Sequence, residues 1–206
     1  MKTVKYILIL STILSLGLAS CGSEQSAESK VPESNVVPPN ADKKEVTYKI
    51  VGDKSTVKWT GTKLGFYKHK GTLDITKGNV TMKGGEVTGG GMTVDMKSMA
   101  ATDDNFGEKN PKEALIGHLS QPEFFDTEKF PVSTFIFKDG KSGTLSIKDK
   151  VNKIDYSNVQ FTDVEGGKKL TASAEFNRQD YGVIFKIGEA IANDMVQIEV
   201  ELFLSE

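Results

Sequence analysis

Residues 196–204 read Val-Gln-Ile-Glu-Val-Glu-Leu-Phe-Leu, with Val196, Ile198, Val200, Leu202 and Leu204 on one parity and Gln197, Glu199 and Glu201 on the other. Successive side chains of an extended chain point to opposite faces, so this segment is a strand with one buried and one wet face. The same alternation recurs in Met92, Val94 and Met96 against Thr93, Asp95 and Lys97, and in Leu170, Ala172, Ala174 and Phe176 against Thr171, Ser173 and Glu175. A wet face on each strand marks an antiparallel sheet. Further strands are expected over 47–51, 56–62, 70–75, 79–82, 133–137, 143–147, 154–161 and 181–186. Glycine, 20 of 206 residues, lies above the usual ~7% and favours turn-rich β structure. Short strands at this spacing fold as a barrel or a sandwich.

One segment has a helical pattern. Asn110 is placed to cap it, Pro111 to occupy its first position and Glu113 to reach back as a capping-box carboxylate, while Leu115, Ile116 and Leu119 form an apolar stripe. Pro122 ends it by about Gln121. The expectation is an all-β domain with a short helix near 111–121 that covers one end or a crevice.

The first twenty residues are an address rather than part of this fold. Lys2 and Lys5 precede the uncharged apolar run 6–18, the pattern of a signal peptide. Thirteen helical residues span about 20 Å, short of the ~30 Å hydrocarbon core, so a spanning helix is not expected. The run ends in Leu18-Ala19-Ser20-Cys21, which resembles the lipobox of bacterial lipoproteins, and this implies that Cys21 carries a palmitate-type acyl anchor. Stable anchoring takes two or more chains at about 0.8 kcal/mol per buried methylene. Residues 22–45 hold three of the six prolines, scattered Ser, Glu and Lys and no aromatic residue, so no core forms there. Such a linker reaches roughly 25–30 Å as a flexible coil. The expected organisation is a signal peptide over 1–20, a lipidated cysteine and linker over 21–45, and a folded domain over 46–206.

Much familiar chemistry is excluded. A formal net charge of -2 does not supply the basic patch that nucleic acid requires. One cysteine rules out an internal disulfide and any multi-cysteine metal site. Gly140-Lys141-Ser142 mimics the end of a P-loop, but the first glycine of that motif falls on Phe135. Residues 102–110 are rich in Asp, Asn and Gly, yet an EF-hand register on Gly107 puts Thr102 and Phe106 at ligand positions. They read as a solvated acidic loop. The two histidines, His69 and His118, belong to no metal motif, and His118 is placed to complement the dipole at the end of the helix. No nucleophile elbow or Ser-His-Asp order is present. Glycines 84–85 and 89–91 read as turns, bulges or a strand bent at a barrel corner.

A series of segments then carries a resemblance. Residues 55–63 (Ser-Thr-Val-Lys-Trp-Thr-Gly-Thr-Lys), 69–73 (His-Lys-Gly-Thr-Leu) and 89–99 (Gly-Gly-Gly-Met-Thr-Val-Asp-Met-Lys-Ser-Met) are followed by Leu115-Ile116-Gly117-His118-Leu119. Glu123-Phe124-Phe125-Asp126, Lys129-Phe130-Pro131 and Thr134-Phe135 complete the series. In order and spacing, from about Val46 to the C-terminus, the chain resembles the YceI-like family. Arg178-Gln179-Asp180-Tyr181-Gly182 matches the family's R-x-x-[WF]-G arrangement tolerably, whereas residues 145–153 depart from its usual longer strand.

The resemblance implies an antiparallel, lipocalin-like β-barrel of about eight strands holding an amphiphilic polyisoprenoid-type lipid, polyprenyl or quinone-like. Eight strands enclose about enough room for one small ligand. The candidate lumen residues are Trp59, Leu73 and Ile75 in the first strands, Met92, Val94 and Met96 in the next, and Leu119 with Phe125 near the helix. Phe135, Phe137, Phe176, Val196, Ile198 and Val200 complete the set. Such a wall offers no hydrogen bonds and selects hydrocarbon over sugar or peptide. Lys68, His69 and Lys70, in a loop rich in cations and aromatics, are candidates for a phosphate or quinone head group.

Alternating aliphatics also build a filled barrel, so a scaffold that binds protein through its outer face is the second reading. An enzyme is the third, and it requires His69 or His118 to converge with Asp103 or Asp104, which sequence spacing does not show. The leading expectation is a non-enzymatic lipid-binding lipoprotein of the cell envelope, lipid-anchored at the outer membrane and facing the periplasm, without cofactor or metal. A homodimer is compatible with the composition. The anchor is tested by growing cells on a clickable fatty acid: the wild-type chain takes up label and Cys21→Ser takes up none, whereas equal labelling of both rules the anchor out.

Overall fold

The computed structural model describes residues 44–63, 67–184 and 192–206. The signal peptide, Cys21 and the linker up to residue 43 lie outside the described residues, as does the centre of the Lys63–Lys70 loop. Among the described residues nine antiparallel strands run β1 (Glu45–Ile50), β2 (Thr56–Lys63), β3 (Tyr67–Lys83), β4 (Glu86–Ala101), β5 (Val132–Phe137), β6 (Ser142–Ile147), β7 (Lys150–Val164), β8 (Gly167–Asn177) and β9 (Ala192–Ser205). Helix α1 (Lys112–Leu119) follows β4, and one-turn 3-10 helices cover Gly52–Lys54 and Arg178–Tyr181.

These nine strands fill eight positions. β1 pairs with the C-terminal half of β3 and the end of β9, and β2 pairs with the N-terminal half of β3 and the rest of β9. They act as one strand broken at the 3-10 turn. The break is held by Ser55, whose buried hydroxyl donates to Val51 O at 2.7 Å and accepts from Phe203 N at 2.9 Å. Gly52 is required there, because a Cβ would lie 2.3 Å from Ile75 O. The ladder continues from β9 through β8, β7, β6, β5 and β4 back to β3, closing the lipocalin-like barrel.

The lower end of this barrel is solid. Ile50, Val80, Leu170, Leu202 and Leu204 are fully buried there, and Tyr48 meets Phe161 edge-on at 5.9 Å. At the other end α1 lays its stripe of Leu115, Ile116 and Leu119 on the core.

Several expectations are corrected. The strands expected over 70–75 and 79–82 are one strand, β3, because register shifts against β4 near Asp74 and Lys77 let residues 76–78 stay extended. The strand expected over 181–186 does not form among its described residues. Asn177 instead caps a 3-10 turn by accepting from Gln179 N at 2.9 Å, and Gly182 ends that turn at φ +73°. Pro111, not Asn110, is the N-cap of α1, extended at ψ 158° and without a side-chain cap, since Asn110 is held in a bridge with Gly107. The divergent 145–153 segment forms a hairpin, Ile147 paired with Lys150 across a turn in which Lys148 takes φ +55°.

On the outer face Glu201 accepts from Lys169 Nζ at 2.7 Å and also from Lys58. These two bonds outweigh its partial burial and hold its carboxyl at about 2. The folded value lies below the unfolded value of ~4.3, so this stabilisation is complete above the unfolded value and fades as pH falls towards 2. Each pair is partly exposed and contributes less than about 1 kcal/mol. Glu201→Gln is therefore expected to lower the melting temperature slightly at pH 7 and not at pH 2, as followed by circular dichroism; equal depression at both would assign the effect to packing.

Candidate ligand-binding lumen

Parity turns one face of each strand inward, and the register stacks those residues in tiers across β2, β9 and β8. Val57, Val200 and Ala172 form one tier, Trp59, Ile198 and Ala174 the next, and Gly61, Val196 and Phe176 the third. Opposite them stand Met92 beside Phe135 and Val94 beside Ser133. Above the solid base these side chains enclose a cavity of about 320 Å³, at the lower end of the ~300–1,000 Å³ typical of small-ligand sites.

Thirteen of the fourteen lumen candidates line this cavity: Trp59, Leu73, Met92, Val94, Met96, Leu119, Phe125, Phe135, Phe137, Phe176, Val196, Ile198 and Val200. Ile75 does not. It is buried, but it points into the packed base beside the kink at Gly52. Trp59 owes its place to Gly71, where a Cβ would collide with the indole at 2.3 Å. Phe135, Phe137 and Tyr156 meet edge-on at 4.9–5.9 Å and form an aromatic wall. Tyr156 donates its hydroxyl to Asp139 O, and burial pushes its pKa up to about 12.

The mouth is polar and its charges are internally compensated. His69 faces inward, whereas Lys68 and Lys70, on the other parity of β3, stand exposed on the outer face away from the cavity. The Arg178 guanidinium, mostly buried, donates to Asp194 Oδ1 at 2.9 Å and to Val183 O, and it lines the cavity. This accounts for the R-x-x-[WF]-G resemblance residue by residue. Arg178 ties the end of the 3-10 turn to β9, Tyr181 is its buried anchor, and Gly182 supplies the left-handed exit.

His69 and Asp103 do converge, which their spacing in the sequence does not show, with Nδ1 and Oδ1 3.4 Å apart. The Asp103 side chain is largely buried rather than solvated. It accepts from the backbone N–H of Lys70 at 2.8 Å and of Asn105 at 3.0 Å. Burial opposes its charge, but these two bonds, with His69 beside it, hold its carboxyl below the usual carboxylate range. His69 stacks on Phe106 at 4.9 Å, so the pair fastens the loop after β4 to the rim. Among the described residues no group of three His, Cys, Asp or Glu is arranged to hold a metal.

The sequence reading missed Leu115, His118, Tyr156 and Arg178 as cavity residues. Leu115, His118 and Leu119 stand at i, i+3 and i+4 on one helix face, and Tyr156 shares the parity of Ile154, so the signals were present. His118 packs against Phe124 at 4.5 Å.

Fold and site together define a closed antiparallel barrel with an internal apolar cavity beneath a polar mouth. The YceI-like domain family matches residues 48–204, and the chain belongs to that family. Among solved structures it is similar to BcnA of Burkholderia cenocepacia, with 18% identity, a TM-score of 0.60 and coverage of 74% of this chain and 98% of that one. It is also similar to a polyisoprenoid-binding domain from Saccharophagus degradans implicated in plant cell wall breakdown, with 12% identity, a TM-score of 0.54 and coverage of 77% and 97%. At these identities the likeness is one of fold. No curated protein matched significantly.

Asp103→Ala removes the acceptor of the Lys70 and Asn105 N–H groups, at about 0.5–1.5 kcal/mol for each hydrogen bond lost. The expected result is faster hydrogen exchange at Lys70 and Asn105 with β8 and β9 protection unchanged; unaltered exchange at both amides would remove the rim-fastening role.

Proposed function

We propose that the chain is a membrane-tethered binding protein, not an enzyme, that holds an amphiphilic isoprenoid-type lipid, polyprenyl or quinone-like, in the lumen. The observation that carries this is the cavity itself: it is lined almost wholly by aliphatic and aromatic side chains, closed below, and polar only at the mouth. A hydrocarbon chain entering it loses no hydrogen bonds, and a sugar or peptide would lose many. The polyisoprenoid-binding domain of similar fold supports the same ligand class. Met92, Met96 and Met99 add soft surface that adapts to an irregular chain.

The head group belongs at the rim, where His69, His118 and Arg178 gather. With Arg178 offset by Asp194 and His69 by Asp103, the rim presents donors without a large net positive charge. An acyl anchor at Cys21 and a linker would keep the mouth within reach of envelope lipid, and the outer membrane facing the periplasm is the proposed location. Carriage, storage and sensing all follow from one binding event. Asp103 is already committed to backbone donors and the imidazole, so it serves this reading as a structural group.

The test uses the parity of β4. Val94 points into the lumen and Thr93 onto the outer face, paired with Thr134. Both Trp variants are purified from membranes, extracted, and analysed by mass spectrometry for lipid per mole of folded protein. Val94→Trp is expected to lose most of its lipid with little loss of melting temperature, because the ring occupies existing space, and Thr93→Trp to keep it. A filled barrel acting as a scaffold would instead lose about 1–3 kcal/mol of stability in Val94→Trp and carry no lipid even as wild type.

A further inference from the structure

The wall of the barrel is not continuous. β7 and β8 pair from the hairpin at Val164 and Gly167 as far as Tyr156 and Ala174, and there the ladder stops. Beyond that point residues 150–155 of β7 pair only with β6, and residues 175–177 of β8 only with β9. Extending the register would place Asp155 opposite Glu175, two like charges on the outer face, and such cross-strand pairs are destabilising. Just inside the split a bulge with Asn158 at φ +54° turns β7 away from its partner.

The interruption leaves a slot on the barrel wall between β7 and β8. Its lining includes inward-facing Ile154, Ala174 and Phe176 as well as outward-facing Asp155, Glu175 and Gln197. Six residues, Ile154, Tyr156, Ser173, Ala174, Phe176 and Ile198, line both the slot and the lumen. Among the described residues it is closed by side chains alone: Phe176 and Tyr181 are buried with Ile147, and Ile154, Val196 and Ile198 pack against them. The Asn152 amide donates to Asp180 O at 3.1 Å across the gap, and Tyr181, on the 3-10 turn after β8, packs edge-on to Phe176 at 5.3 Å.

We propose that this slot is a second, lateral opening of the lumen, through which the hydrocarbon chain of the bound lipid enters or extends, with Asn152 and Tyr181 as its latch. The proposal rests on the lipid reading above. It also bears on size, because the lumen is small, at about 320 Å³, and its base is solid. A chain longer than the lumen would leave it by the mouth or by the slot, and the slot is where β7 and β8 share no backbone hydrogen bonds to break.

Trp59 is the single tryptophan and lines the lumen, so its fluorescence reports entry directly. The full chain in phosphatidylcholine vesicles is mixed in stopped flow with 9,10-dibromostearate, a chain-like quencher, and separately with acrylamide, a small water-soluble one. Asn152→Ala, which removes the latch bond, is expected to speed quenching by dibromostearate about five-fold, the effect of one ordinary hydrogen bond lost. Glu175→Lys places a cation opposite Asp155 at the slot and is expected to slow it. Tyr181→Leu should act like Asn152→Ala, and circular dichroism checks that it folds. His118→Tyr narrows the mouth alone and leaves Trp59 the single tryptophan; rates that follow it and ignore the three slot variants overturn the proposal. If dibromostearate quenches Trp59 in no variant, the lipid reading fails and acrylamide decides the slot. Faster acrylamide quenching in Asn152→Ala and slower in Glu175→Lys upholds an opening, and no change in either overturns it.

Discussion

Closure of the hydrogen-bond ladder is the constraint on which everything else in this barrel depends. A sheet of nine strands would expose two edges, and eight positions leave none only if β1 and β2 share one of them. The buried hydroxyl of Ser55 makes this sharing workable by satisfying Val51 O and Phe203 N where the regular ladder is interrupted. Without the hydroxyl the Phe203 N–H would lose its acceptor and Val51 O would keep only the Lys54 N–H. With the ladder closed, every inward parity faces one enclosed volume, and the chemistry of the lumen becomes a matter of which side chains stand on that parity.

Size then divides the interior in two. Below Val57 the inward positions carry Ile50, Leu170, Leu202 and Leu204 and leave no room, whereas above it Ala172, Ala174 and Gly61 alternate with large aromatics and leave a cavity. Alanine and glycine on one side of a barrel are what separates a container from a filled core. At the top, β3 and the 3-10 turn after β8 bring His69 and Arg178 to the lumen, and each meets a carboxylate from a neighbouring element. Binding can therefore be apolar in depth and polar only at the rim.

The alternation of residues 196–204, 92–97 and 170–176 made most of this barrel legible; eleven of the lumen residues lie on strands, where parity turns them inward, and Leu119 and Phe125 came with the resemblance. Where the reading went astray, a local feature outweighed the period. Residues 181–184 look extended, but Asn177 and Gly182 are a cap and a left-handed stop, and they turn the chain into a helical turn. Asn110 is a good cap by type, yet its backbone was already committed to Gly107. The meeting of His69 with Asp103 could not be read from a separation of 34 residues, because it depends on β3 and β4 being neighbours with the loop folding back over the strand start. Nor could the side of the strand on which Lys68 and Lys70 fall be fixed without the register that turns His69 inward.

A container of this kind faces opposing demands. Its backbone groups must be paired all round, because an unpaired strand edge is costly when buried and adhesive when exposed, yet a long ligand must cross the wall or protrude from it. The β7/β8 split meets both. The unpaired stretch is only a few residues long, its outer rim carries Asp155, Glu175 and Glu199, and charge is a common device for keeping strand edges from recruiting other strands. The acidic residues that prevent the ladder from zipping thus also keep its open edge from pairing with other strands, while side chains rather than backbone bonds seal the gap. Side-chain rearrangement is faster and less costly than ladder opening. A wall that yields at one seam can pass a hydrocarbon chain without surrendering the closure that holds the rest of the barrel together.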